Sequence, residues 1–353
     1  MEDVELSVED GIGYEVPEVP HIELVFQAVD DTLNDVAGQE GLLTNSQVYL
    51  QSILATNGVK NTGSVTGNEG FFSSVGNGLK AALEYIKKMF KAIWDFFFNR
   101  DADKKIADTK TEVMDTSKKL DDAAAGGTSP AQTEQLLKDQ ISVLKINGEG
   151  GGISREELDA LMTGAEAAQK GSDADKKAMV KKITAELPKL NQKARKKLDD
   201  QIDQSVAAIK AFLKLVKDTG EDKDLTPGSR SVISNLKLEV KTQEEMLKVL
   251  EAGRGMNSVE DAKRVLSEFI KDIQEYEGYV KEFKGMRGSV QTQITKLEAA
   301  VASTDKDNQA TKDILADLKG QAAIISMLVK VMNKMLSRMS STSITMQELF
   351  GVK

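Results

Sequence analysis

Few side chains in this sequence could carry catalysis or hold a metal ion. The chain has 353 residues, a single histidine (His21) and no cysteine. Disulfides and thiolate metal sites are therefore excluded, and most histidine-based catalytic arrangements are excluded with them. His21 is interpreted as an incidental polar residue. The phosphate-binding loop, the nucleophile elbow and the HExxH zinc motif are all missing from the sequence. We therefore expect a protein that is not an enzyme and has no cofactor and no assigned metal ligands.

One stretch has some metal-ligand character, the glycine-rich loop at 147–157 between two predicted helices. It resembles the end of an EF-hand calcium loop, in which Glu157 would be the bidentate ligand. The spacing is defective, because counting back from Glu157 places Ile146 at the first ligand position. A helix–helix turn with a capping box that begins at Ser154 explains the same residues. The turn is the favoured interpretation, and calcium binding stays open.

Residues 70–100 contain eight of the seventeen aromatic residues and the single tryptophan. Apolar residues recur there every three or four positions, which predicts an amphipathic helix, and lysines fall largely on the opposite side. We call its apolar side the aromatic face and take it as the candidate interaction site. Its members are Phe72, Leu79, Ile86, Phe90, Ile93, Trp94 and Phe97. Such a face binds partner helices, lies on a membrane surface or forms the core of a helical domain, and the pattern leaves these alternatives open.

The charge of the chain is distributed unevenly. Residues 1–59 contain twelve acidic residues and no lysine or arginine, and the first basic residue is Lys60. The whole chain has a net charge of −9, so the sequence after residue 59 is slightly basic. An asymmetry of this size suggests an acidic leader whose role differs from that of the body.

These features must be positioned by helices, since no strand pattern is visible beyond residue 100. Pro17 and Pro20 are expected to keep residues 1–25 extended, although Ile22 to Val36 are also compatible with a short helix or strand. Residues 42–55 have helical periodicity, and residues 56–70 are linker-like. We divide the chain into a leader with linker (1–69), the amphipathic aromatic helix (70–100) and an elongated helical body (101–353).

The body reads as a succession of helices with recognisable ends. Ser129-Pro130 and Ser172 to Asp175 are typical helix starts, Pro188 is expected to kink or restart a helix, and an amphipathic pattern runs on to Gly220. The predicted fold class is mostly α: a flexible acidic leader, one amphipathic aromatic helix, and a bundle of long antiparallel helices with coiled-coil character.

Two features of the last third of the chain bear on this bundle. The helix that ends near Ala302 contains glycines at 278, 285 and 288, which are expected to weaken its middle and could divide it into two pieces. The last long helix is rich in methionine, at positions 327, 332, 335 and 339. A methionine-rich face suits a self-associating surface, but core filling is the favoured interpretation.

Triplets of a small residue, any residue and glutamate punctuate the leader: Ser7-Val8-Glu9, Gly38-Gln39-Glu40 and Gly67-Asn68-Glu69. An acidic leader with such triplets, followed by an aromatic amphipathic helix and a charged helical body without cysteine, resembles the internal head proteins of large tailed bacteriophages. The resemblance implies that a prohead protease removes the leader after one of the three glutamates. A cut after Glu69 would release a chain that begins at Gly70, at the start of the aromatic helix.

The resemblance further implies a non-enzymatic structural protein that is made in the host cytoplasm and resides inside the capsid of the virion. Its partners would be capsid and scaffold proteins and the prohead protease. Non-specific contact with packaged DNA and self-association are further expectations. The alternative function is that of a membrane-active helical protein, a pore-forming toxin or a secretion translocator, which would contact the membrane surface through residues 71–98.

Overall fold

The computed structural model describes residues 19–35, 44–56, 75–98, 100–148, 155–220, 230, 237–302 and 309–352. Within these ranges the chain forms eleven helices and no strand, which confirms the mostly α fold class. The helices are α1 (Val19–Asp35), α2 (Asn45–Thr56), α3 (Val75–Phe98), α4 (Arg100–Ala125), α5 (Pro130–Gly148), α6 (Arg155–Gln169), α7 (Asp173–Leu190), α8 (Gln192–Gly220), α9 (Lys237–Ala252), α10 (Val259–Ala302) and α11 (Gln309–Phe350).

Several helix ends follow the predicted sequence signals. The turn between α4 and α5 uses Gly126 and Gly127, both with positive φ, and Pro130 is the first residue of α5. Ser172 and Asp175 form a capping box at the start of α7. Pro188 lies inside α7, which nevertheless continues to Leu190 and is followed by α8. The periodic pattern that leads to Gly220 is thus divided between two helices.

Two expectations about local structure are wrong. Residues 19–25 are helical rather than extended, because Pro20 is the second residue of α1, where a helix needs no backbone donor. The glycines at 278, 285 and 288 do not divide α10, which is a single helix of 44 residues. A methyl group added at each of these glycines would meet nothing within 4 Å, so close packing does not explain their presence.

The chain divides into two compact units. The first contains α1, α2, α3, the part of α10 from Val280 onward and the part of α11 up to Lys330. The second contains most of α4, all of α5 to α9, the first half of α10 and the end of α11. The predicted boundaries at residues 69 and 100 stay predictions.

In the second unit, α4 and α11 run in the same direction, with polar contacts repeating every seven residues on both helices. Lys105 contacts Asn333, Glu112 accepts a hydrogen bond from Ser340, and Lys119 donates one of 3.2 Å to Gln347. This spacing is the repeat of a coiled coil.

Other pairs in this unit run antiparallel, as expected for a bundle. Lys110 of α4 pairs with Glu277 of α10, and Asp121, further along α4, pairs with Lys263, which lies earlier on α10. The two helices therefore run in opposite directions. The predicted coiled-coil character is therefore seen between helices distant in sequence.

Candidate interaction site around the aromatic helix

The aromatic face of α3 is buried in the first unit. Leu79, Ile86, Phe90, Ile93 and Trp94 are each at most 5% exposed. The Phe90 and Trp94 rings meet edge to face, with centroids 5.8 Å apart, an arrangement that stabilises aromatic pairs beyond their burial.

Two predicted members of the face are not placed. Phe72 lies outside the described residues, and the side chain of Phe97 does as well. Among the placed members, the face meets the core of the chain itself. Binding of another molecule through it stays a prediction, and it requires that the covering residues move.

Part of the cover comes from the leader, since α1 and α2 pack against each other and both pack against α3. Buried apolar side chains line α1 at the spacing of one helical face: Ile22, Val25, Phe26, Val29 and Leu33. On α2, Leu50 and Leu54 are buried in the same way. The described part of the acidic leader is therefore a folded element of the first unit.

A polar cluster ties these three helices together. His21 of α1 forms hydrogen bonds through both ring nitrogens, Nδ1 to the Tyr49 hydroxyl of α2 (2.9 Å) and Nε2 to the Tyr85 hydroxyl of α3 (2.8 Å). The two tyrosine rings stand nearly edge-on to the imidazole. Burial, and then the charge of Tyr49, raise the pKa of Tyr85 above its ordinary value.

The interpretation of His21 as incidental is wrong. The signal for its role is spatial, because its partners lie 28 and 64 residues away in sequence. Only the helical register of α1, which puts His21 beside the buried Ile22, could have pointed to it.

A second polar cluster fixes the start of α2 on α1. Asp31 accepts hydrogen bonds from Ser46 (2.5 Å) and Thr44 (2.7 Å). Thr44 and Gln47 exchange hydrogen bonds as a capping box. Partial burial acts to raise the pKa of Asp31, but the hydrogen bonds from Ser46, Thr44 and Gln27 outweigh it, so the pKa is lowered.

The lysines opposite the aromatic face are partly paired. Lys87 forms ion pairs with Glu298 of α10 and Glu84 of α3, and their hydrogen bonds raise its pKa. Lys91 pairs with Asp95 at 2.5 Å. Because exposed pairs of this kind contribute little to stability, this side of α3 is best described as a solvated, partly paired basic surface.

The candidate cleavage residues Glu9, Glu40 and Glu69 all lie outside the described residues. A fourth triplet of the same composition, Ala82-Leu83-Glu84, lies within α3, and its first two side chains are at most 2% exposed. A protease would have to unwind α3 to reach the bond that follows Glu84, because cleavage favours exposed, locally unfolded backbone.

The glycine loop at 147–157 lies mostly outside the described residues, so calcium binding there stays open. The described residues contain no group of three or more potential metal ligands. Met332, Met335 and Met339 of α11 are buried, so they fill the core, while Met327 is half-buried.

None of the described helices combines the length and apolar character that a bilayer crossing requires. The aromatic face, through which the toxin or translocator alternative would act, is covered by the chain's own helices in this structure. The placed members of that face therefore offer no exposed apolar surface to a membrane.

Over the ranges described, the protein is all-helical. Its candidate site is an apolar packing surface held in place by polar clusters, and such a site is typical of structural and assembly proteins. Residues 46–347 match the phiKZ-like phage internal head proteins. Because the match covers most of the chain, the chain belongs to this family, which confirms the resemblance found in the sequence. No curated protein and no solved structure matches it.

Membership of this family makes the protein a structural component of the virion, located inside the phage capsid and associated with capsid components. The family consists of structural head proteins, which agrees with the expectation of a non-enzymatic role. The match begins at Ser46, so it includes almost all of α2 and the triplet that ends at Glu69.

Proposed function

We propose that this protein is made in the host cytoplasm, enters the assembling head with the capsid and scaffold proteins, and loses its N-terminal leader to the prohead protease. The observation that carries the proposal is the family match over residues 46–347. The small-x-glutamate triplets of the leader supply the substrate sites for the protease.

Glu69 is the preferred cleavage residue. It falls in the sequence between α2, which ends at Thr56, and α3, which begins at Val75. A cut there would leave α3 and the body intact. In contrast, Glu84 lies in the middle of α3 beside the buried Leu83. The same triplet thus occurs in two settings, which provides a matched control.

The test is intact mass and N-terminal sequencing of the protein from purified particles, for the natural chain and for Glu69→Gln and Glu84→Gln. We expect a start at Gly70 in the natural chain and in Glu84→Gln, and a longer chain in Glu69→Gln. Cuts at the other two triplets would start the chain at Asp10 or Gly41, and the intact mass distinguishes these products.

The outcomes separate the parts of the proposal. A natural chain that starts at Asp10 or Gly41 would move the cleavage to Glu9 or Glu40. A natural chain that starts at Met1 in mature particles would overturn leader removal. Processing of Glu84→Gln that differs from that of the natural chain would contradict the inference that α3 is intact when the protease acts.

We further propose that the processed protein self-associates, with the aromatic face as the contact surface once α1 and α2 have left it. Sedimentation of the full-length and processed forms at equal concentration tests this. We expect larger assemblies from the processed form alone. Equal association of both forms would show that the covered face is not the contact.

A further inference from the structure

Two like charges lie one helical turn apart on α11 in the second unit. Lys334 and Arg338 are both half-buried, and neither side chain forms an ion pair within the part of the chain that the structure describes. The Arg338 Nη1 atom is shielded from solvent and has no hydrogen-bond partner there. Buried donors in folded proteins are nearly always satisfied, and an exception commonly marks an absent ion or water.

This arrangement is unfavourable for the isolated chain. Burial lowers the pKa of Arg338 and, with the added repulsion of Arg338, the pKa of Lys334. Like charges at positions i and i+4 of a helix destabilise it, and a half-buried cation ordinarily has a counter-charge. A bound anion would remove both disadvantages.

We propose that Lys334 and Arg338 form an oxyanion site that binds phosphate groups. A guanidinium can donate two parallel hydrogen bonds to a phosphate, and an ammonium adds a point charge that can meet another oxygen. A guanidinium and an ammonium one helical turn apart suit an anion with several oxygens.

The assignment of that phosphate to the backbone of packaged DNA rests on the proposed function, which puts the processed chain in the head interior. The balance of charge favours it, because the sequence after residue 59 has more basic than acidic residues. Contacts of this kind are independent of base sequence and weaken with salt.

The test compares the full-length chain with Lys334→Gln/Arg338→Gln and with the control Lys181→Gln/Lys182→Gln, which removes the same charge from exposed positions of the same unit. Anisotropy of a labelled DNA duplex is measured across a salt series. We expect the first variant to lose about tenfold in affinity and its salt slope to fall by about one per lost phosphate contact. The control should change affinity by less than about twofold, as expected for charges outside the site.

A second measurement uses inorganic phosphate alone. Phosphate should raise the midpoint of thermal unfolding of the natural chain above that in sodium chloride of equal ionic strength, and the Lys334→Gln/Arg338→Gln variant should lose this gain. Circular dichroism confirms that the variant is folded. Arg338→Lys keeps the charge without the two parallel donors, so its gain should be smaller than that of the natural chain.

The outcomes are distinct. Stabilisation by phosphate without any effect of the variant on DNA binding would overturn DNA as the ligand and support a site for free phosphate. Absence of a phosphate effect, with equal DNA binding by variant and control, would overturn the site itself. Neither result bears on leader removal, which N-terminal sequencing tests independently.

Discussion

Replacing Phe26 with alanine tests whether the leader helix α1 is part of the folded first unit. The Phe26 side chain is 1% exposed on a helix that packs against both α2 and α3. Removal of a buried phenylalanine side chain costs about 3–5 kcal/mol, because apolar contacts are lost and a cavity remains. We expect the free energy of unfolding of the first unit to fall by about this amount.

The single tryptophan makes the measurement specific to this unit. Trp94 is 5% exposed in α3, so its fluorescence during urea denaturation follows the unfolding of the aromatic face. Leu24→Ala is the matched control, since Leu24 lies on the same helix and is 38% exposed. We expect that change to cost about 1 kcal/mol or less.

Equal urea midpoints for the two variants would refute the reasoning. Such a result would mean that α1 is not packed on the rest of the unit in solution, and that the leader is as loosely attached as its proline and acid content suggests. A loss for Phe26→Ala alone would establish that the leader contributes to folding before any protease acts.

The raised pKa of Tyr85 means that the folded state holds the phenol proton more tightly than the unfolded state does. The resulting stabilisation is present below the unfolded pKa and is lost as the pH rises through the folded pKa. Urea midpoints between about pH 9 and 11 should therefore fall less steeply with pH in Tyr85→Phe than in the natural chain, and parallel slopes would contradict this. The lowered pKa of Asp31 gives a pH dependence of the opposite sign: its stabilisation is present above the unfolded pKa and is lost as the pH falls through the folded pKa. The urea midpoint of Asp31→Asn should therefore be lower than that of the natural chain near neutral pH, and it should change less on acidification. Gly126 has φ of 82°, and an added Cβ would lie 2.7 Å from the backbone oxygen of Lys177, so Gly126→Ala should cost at least about 1 kcal/mol in calorimetry. Gly285→Ala, with open space around the new methyl group, should be stabilising by about 0.4–1 kcal/mol, and the reverse order of the two would be inconsistent with the structure.

Much of the helical fold could be predicted because its signals are local. The capping residues at Ser172 and Asp175, the proline at 130 and the glycines at 126 and 127 act on backbone within one turn of themselves. Likewise, the apolar periodicity of α3 produces an apolar face as soon as this segment is helical. The same locality explains the error at Pro20, because a proline that starts a helix and one that prevents it differ only in the residues that follow.

The tertiary arrangement could not be derived in the same way. The contact of His21 with Tyr49 and Tyr85, and the seven-residue register of α4 with α11, join segments far apart in sequence. Lys334 and Arg338 look like ordinary surface charges of a helix until their burial is known. Whether a face is covered from within or binds a partner depends on what packs against it, which periodicity does not encode.

The structure makes the fate of the leader depend on the aromatic face. Breaking the peptide bond after Glu69 removes a covalent connection, but it leaves the apolar contacts of α1 and α2 with α3 and the hydrogen bonds of His21 unchanged. The cut fragment would then be held by these non-covalent contacts alone, and its dissociation would expose residues that are at most 5% exposed while it is bound. Exposing these apolar residues to water is unfavourable. Under the proposed cleavage, loss of the leader would therefore be favourable only where another apolar surface takes its place, which would link that step to assembly.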